Sequence, residues 1–281
     1  MFGQLSNYEN KLFINDQEIL GIDSINLSYS NSSNDSKILG RSSSFTTVNG
    51  ATVGQLSISK NLIYIDPILD YTGSSQVFGH IEYNNKGYGF SNAYLTEYMV
   101  NCAVGSIPKV SSNFIIFDEI VETDIASSNT IPPVIYIPNQ GSISLTCDSS
   151  TTNRVIGFDY SIKINRKPVY IIGSKNPYEV VTFDNIEYTA SVQIDVDDAF
   201  LQNSFNFLTS RENKTVSFSI KDRTLNTTIQ TLTIPKASLV SESLSSSADG
   251  GVKLTLNYIG HSWALFTIEI PILVELYLLQ I

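Results

Sequence analysis

Apolar and polar residues alternate one by one along nearly every segment of this chain. That period of two belongs to a β-strand with one face buried and one face wet. A chain built from such strands must cover its apolar faces with a second sheet, so the pattern predicts an all-β sandwich or barrel. Turn signals separate the strands. Asn15-Asp16 breaks "KLFINDQEIL", Asn49-Gly50 breaks "TTVNGATV", and Asn84-Asn85 breaks "VFGHIEYNNKGYGF". Asn-Gly is read as a hairpin turn because type I′ geometry needs positive φ at both central residues. One helical turn stands out at "PILDYTG", with Asp66 as N-cap and Pro67 at the first helical position. The 15 tyrosines and 14 phenylalanines, set among many Ser, Thr and Asn, fit pleated, half-buried surfaces.

The order of features occurs twice. "NAYLTEYMVNCAVGSIPKVSSNFIIF" (Asn92 to Phe117) is echoed by "PKASLVSESLSSSADGGVKLTLNYIG" (Pro235 to Gly260). "GQLSISKNLIYIDPIL" is echoed by "TASVQIDVDDAF", a strand running into acidic residues and a short helical stretch, and "VFGHIEY" by "VSFSIKD". Between them "EIVETDIASSNTIPPVIYIP" is acidic, then small and polar, then proline-bearing, the composition of a linker. The expected organisation is two tandem β-sandwich or barrel domains, each with a short flanking helix. The first spans 1–122, a linker 123–138 and the second 139–262, with an apolar C-terminal edge strand or tail at 263–281.

Little in the chain carries chemistry. His80 and His261 lack metal-ligand neighbours and read as structural. Cys102 and Cys147 lie in strand-like runs without a CxxC partner and read as buried thiols. Asp195 and Asp197 share a strand face, but nothing nearby supplies the oxygens calcium wants. Asp118 to Asp124 reads as an exposed acidic face. Gly87 and Gly89 form only a fragment of a dinucleotide fingerprint, and there is no phosphate-binding loop or GxSxG. No catalytic residue, metal or cofactor is expected, and an enzyme is disfavoured. The net charge of −10 argues against an ordinary nucleic-acid grip, although a negative wall suits DNA that must slide past. "MFGQLSNYENK" does not read as a signal peptide, so the sequons at Asn31, Asn213 and Asn226 read as accidental.

The final segment, "WALFTIEIPILVELYLLQI", puts Phe266, Ile268, Ile270, Ile272, Val274 and Leu276 on one side of a strand. Glu269 and Glu275 count against a membrane span, and Pro271 suits an edge. The segment is a candidate for pairing with a sheet edge, in its own chain or in a neighbouring subunit.

Three stretches together resemble the tail tube (major tail) proteins of long-tailed bacteriophages. "EILGIDSINLSYSNSSNDSKILGR" resembles their early strand ending in a Leu-Gly turn, and "GATVGQLSISKNLIYIDPIL" their strand leading into a short helix. "GFSNAYLTEYMVNCAVGSIPKVSSNFIIFDEI" resembles their closing strand pair. The likeness covers about 110 residues of the first half and the second half more loosely. It implies a virion protein, assembled in the host cytoplasm, with self as its main partner. Rings of six tube domains stack into a hollow tail, and a chain with two tandem domains reaches that count as a trimer. Other tail or neck proteins are further implied partners. Double-stranded DNA passes through the lumen without specific binding, and no membrane is involved.

The resemblance also implies a loop reaching the adjacent ring. Its candidates are Arg41, Phe45, Thr47, Asn49, Gly50 and Val53 in the first half and Lys175, Tyr178 and Phe183 in the second. A neck, tail-completion or distal-tail connector is the nearest alternative. A receptor-binding or adhesin module is another, with Tyr83, Tyr88, Phe90 and Tyr94 as its candidate aromatics.

Overall fold

The computed structural model describes residues 11–36, 46–63, 65–73, 76–83, 86–124, 137–148, 150–172, 174, 176–196, 214–222, 227–247 and 251–262, with backbone alone at 31–36, 46–52 and 247. The fold is all-β. The first half contains β1 (Lys11–Ile14), β2 (Gln17–Glu18), β3 (Ile22–Ser36), β4 (Thr46–Asn61), β5 (Val77–Tyr83), β6 (Lys86–Ala103), β7 (Lys109–Ile116) and β8 (Val121–Thr123). The second contains β9 (Ile143–Cys147), β10 (Ser150–Thr152), β11 (Val155–Lys163), β12 (Arg166–Val169), β13 (Glu179–Thr182), β14 (Ile186–Val196), β15 (Lys214–Lys221), β16 (Thr228–Ser247) and β17 (Gly251–Ser262). Every pairing is antiparallel.

The pairing order of the two halves matches strand for strand. In the first it runs β2-β1-β5-β6-β7-β4-β3, and in the second β10-β9-β15-β16-β17-β14-β11. The irregularities match too. Asn92 interrupts the β5·β6 ladder with φ 49°, and Lys236 interrupts β15·β16 with φ 50°. Four residues on, Thr96 bulges out of β6·β7 and Val240 out of β16·β17. Such bulges bend a long strand, so that along their length β6 passes from β5 to β7 and β16 from β15 to β17. At these strands residue 93 corresponds to 237, a displacement of 144; at β3 and β11 residue 25 corresponds to 158, a displacement of 133.

The halves do not stand apart. β11 pairs along the outer edge of β6, from Lys163↔Glu97 to Gly157↔Ala103, so the main sheets join into one. One buried cluster runs through both halves, from Leu12 and Phe114 to Phe218 and Leu256. A buried polar knot ties them together. Asp66 accepts from Lys60 Nζ at 2.9 Å, from Tyr98 Oη at 3.1 Å and from the Ile68 amide at 3.1 Å. Its own amide donates to Gln230 Oε1 at 2.9 Å, 164 residues away.

Several expectations meet the structure directly. Asn15 and Asp16 form the first turn with φ of 49° and 61°, and Asp66 caps a short 3-10 helix at Pro67–Thr72. The second-half helix expected near "DVDDAF" falls outside the described residues, as does Asp197. Both cysteines are buried, and burial pushes the Cys102 thiol up to about 12. His80 stacks on Phe13 with ring centroids 4.7 Å apart. Asn49-Gly50 requires a correction. They lie inside β4, with Asn49 opposite Ser33 and Gly50 at a bulge between the Asn31 and Ser33 pairings. The hairpin is long enough that the Asn-Gly pair marks an irregularity partway along it instead of its tip.

Candidate assembly interface

Within the chain, β6·β11 is a junction between two equivalent halves. The ladder continues at both ends, where the Ile164 amide donates to Thr96 O and the Val104 amide to Ile156 O, each at 2.8 Å. Lys163 faces Glu97 across it, and Asn101 Nδ2 donates to Asp159 Oδ1. On the inner face Tyr98, Val100 and Cys102 lie opposite Ile162, Tyr160 and Phe158, and all six are buried.

The same edges recur once more, at β3 and in the second half of β16, where no further described strand pairs with them. The counterpart of β11 is β3, which pairs only with β4 among the described residues. The counterpart of the β6 edge is Ser238–Ser247 of β16, which pairs only with β17 among them. The exposures diverge accordingly. Ile162 is 2% exposed and its counterpart Tyr29 61%; Val100 is 1% exposed and its counterpart Leu244 63%.

Below β3 the mouth of the first half stands open as a groove of about 590 Å³, lined by Ile25, Leu27, Tyr29, Ile81 and Tyr88 among others. The matching residues of the second half are Phe158, Tyr160, Ile162, Phe218 and Leu232, all buried. There β6 and the helix start at Asp66 close the mouth, with Gln230 holding the Asp66 amide. Two halves of one pattern thus differ in whether a neighbour covers them. An uncovered strand edge above an apolar groove is a template for another strand.

A second contact reinforces the internal junction. The β12–β13 hairpin reaches over the first half, where Val180 packs with Tyr94 and Phe117. Arg166 donates from Nε to Leu95 O at 3.0 Å, from Nη1 to Thr182 Oγ1 at 2.7 Å and from Nη2 to Gly73 O, and its guanidinium lies 5.8 Å from the Tyr94 ring centroid. Burial lowers its pKa to about 10. Asp118 secures the hairpin loop by accepting from Asn176 Nδ2, and also from Ser91 Oγ, Asn92 Nδ2 and the Glu119 amide. Burial opposes ionisation of Asp118, but these donors outweigh it and hold the carboxyl below its ordinary value. Asp118 is therefore a half-buried anchor, a correction to its reading as part of an exposed face; Val121–Thr123 is exposed as expected.

The residues named as reaching an adjacent ring are dispersed. Thr47, Asn49, Gly50 and Val53 are part of β4. Tyr178 and Phe183 flank β13 and are exposed, and Lys167 Nζ sits 4.8 Å from the Phe183 ring centroid. Arg41, Phe45 and Lys175 lie outside the described residues. So do the candidates of the last segment, Phe266, Ile268, Ile270, Ile272, Val274 and Leu276. Of the adhesin candidates, Phe90 and Tyr94 are buried core, and Tyr88 lines the groove.

Among the described residues no group of three or more His, Cys, Asp or Glu is placed to hold a metal ion, and no helix is long and apolar enough to cross a membrane. No protein-family model matches the chain, and no curated protein matches it significantly.

Proposed function

We propose that the chain is a structural subunit of a bacteriophage tail tube that arose by tandem duplication and self-associates head to tail into stacked rings. The observation that carries self-association is the pair of edges left unpaired among the described residues, β3 and Ser238–Ser247, each of which has a paired twin inside the same chain. Repeating one heterologous contact closes a ring when the rotation permits. Three copies supply six equivalent halves, the count the family resemblance implies.

The outer face of the joined sheet supports a conduit. Its exposed or half-exposed positions include Ser57, Ser111, Asn101, Ser191, Asn257 and Ser243. Asn101, Asp159, Ser191, Asn257 and Ser241 lie opposite one another in turn across β6, β11, β14, β17 and β16. A shallow depression of about 550 Å³ lies on this face. The face also carries Lys109, Lys163 and Lys253, two of them set opposite carboxylates, Lys163 by Glu97 and Lys253 by Asp195, and on a chain of net charge −10 such a mixed, mostly short-chain polar surface offers DNA phosphates little to hold. Facing the lumen, it lets the polymer slide.

Negative-stain electron microscopy over a range of protein and salt concentrations tests the reading. Hollow tubes or threefold rings are expected. A protein that stays monomeric at every concentration overturns self-assembly and moves the reading to a neck or binding protein.

A further inference from the structure

We infer that β3 of one copy pairs antiparallel with Ser241–Ser247 of β16 in the next copy, in the register Ser24↔Ser247, Leu27↔Leu244, Ser30↔Ser241. This names the partner surface behind the proposed function and rests on the head-to-tail reading given there. The register follows from the internal junction. Gly157 corresponds to Ser24 and Ala103 to Ser247, because each pair occupies the same place relative to its bulge. Transferring Gly157↔Ala103 and Lys163↔Glu97 gives the two ends of the new ladder. The Asn31 amide then donates to Val240 O, as the Ile164 amide donates to Thr96 O.

The chemistry of the two edges fits this occupant. On the inner side Leu27 meets Leu244 over the open groove, and both leave water together. On the outer side Ser24, Asn26, Ser28 and Ser30 meet Ser247, Ser245, Ser243 and Ser241. Small side chains on both strands allow close approach, and no like charges stand opposite one another. Ser246 and Glu242 fall on the same inner side, opposite Ile25 and Tyr29, and the Tyr29 hydroxyl is a donor of the kind the Glu242 carboxylate requires there. Each chain has one edge of each kind, so a copy is used once at each end and its own two edges are not spent on each other.

Cysteine pairs in the full chain test the register. Ser28→Cys with Ser243→Cys is the matched pair; Ser28→Cys with Ser241→Cys and Ser28→Cys with Ser245→Cys are displaced by two residues. Air oxidation with a copper catalyst joins two thiols into a disulfide, the protons and electrons passing to oxygen. The native Cys102 and Cys147 are buried and serve as the unmodified control. The matched pair is expected to give a ladder of covalent oligomers on denaturing gels, several-fold more than either displaced pair. Leu244→Glu is expected to raise the concentration needed for association roughly tenfold or more, since a second carboxylate then enters the groove side opposite Leu27, which has no donor to offer it, while its circular dichroism and melting stay those of the parent.

Equal or greater cross-linking at a displaced pair overturns the register, and so does tube formation without any of these cross-links. A ladder from the matched pair without tubes or rings by microscopy leaves the interface standing and removes the tail-tube reading. A monomer with no cross-link at any concentration overturns both.

Discussion

Asn15 and Asp148 make the same pair of hydrogen bonds in the two halves. The Asn15 amide donates to Phe78 O at 2.8 Å while Asn15 Oδ1 accepts from the Phe78 amide at 3.1 Å; Asp148 does the same with Thr215 at 3.0 and 3.1 Å. Both have positive φ, 49° and 52°, a region that Asn and Asp enter more readily than other side chains. Asn15→Ala loses the side-chain acceptor and is strained by the backbone. It is expected to destabilise by about 1–2 kcal/mol in urea titration. A change within error would show the turn to be incidental.

The Lys60–Asp66 pair is buried on both sides and carries the larger prediction. Lys60→Met leaves the Asp66 carboxylate without its ammonium in an apolar core, which costs about 3–5 kcal/mol. Because Asp66 also caps the helix and takes the Tyr98 hydroxyl, Lys60→Met with Asp66→Asn should recover part of that loss. Equilibrium denaturation of the three variants measures it. A single mutant within about 1 kcal/mol of the parent contradicts the assignment.

Arg166 is not replaceable by lysine. Its planar group reaches three oxygens on three elements and covers the Tyr94 ring, a geometry an ammonium cannot reproduce. Arg166→Ala is expected to cost about 2–3 kcal/mol and to open the β12–β13 hairpin to protease. Arg166→Lys should restore less than half. Protease mapping of 166–182 in both variants decides.

Acid should loosen the same hairpin. The folded Asp118 carboxyl titrates below its ordinary value of 3.8, so its contribution is complete above that value and is lost as pH falls through the lower folded one. Amide exchange in Glu179–Thr182 is expected to quicken over this acid range, and Asn176→Ala to shrink the effect. Pace independent of pH there, after correction for intrinsic exchange, would rule the link out.

Much of this architecture is readable in the sequence because it is local. Alternation along "VSSNFII" or "VSFSIK" places Phe114 and Phe218 inward with no knowledge of the partner strand. Asp66-Pro67 announces its own helix. What is not readable is non-local. Nothing in "GFDYSIK" says that its partner is β6 of the other half, because hydrogen bonds along an edge leave no pattern in the strand that makes them. The Asn49-Gly50 signal misleads because a bulge and a turn ask for the same residues. The acidic run around Asp118 looks solvated until Ser91, Asn92 and Asn176, each distant or on another strand, converge on it. Sequence alone offers loops and the terminal segment as interface candidates, and it does not point to the edges of β3 and β16, which are unpaired among the described residues. Their exposure is visible only against the closed twin.

The β6·β11 junction has a kinetic meaning as well. Inside one polypeptide it forms at an effective concentration set by the connecting segment, commonly millimolar for short tethers, and not by how much protein the cell holds. In the proposed circle of three chains, half of the contacts would therefore be made before any two molecules collide. Nucleation of that proposed ring would require three bodies to meet instead of six, and a dilute pool could complete a circle that six separate halves would fail to close.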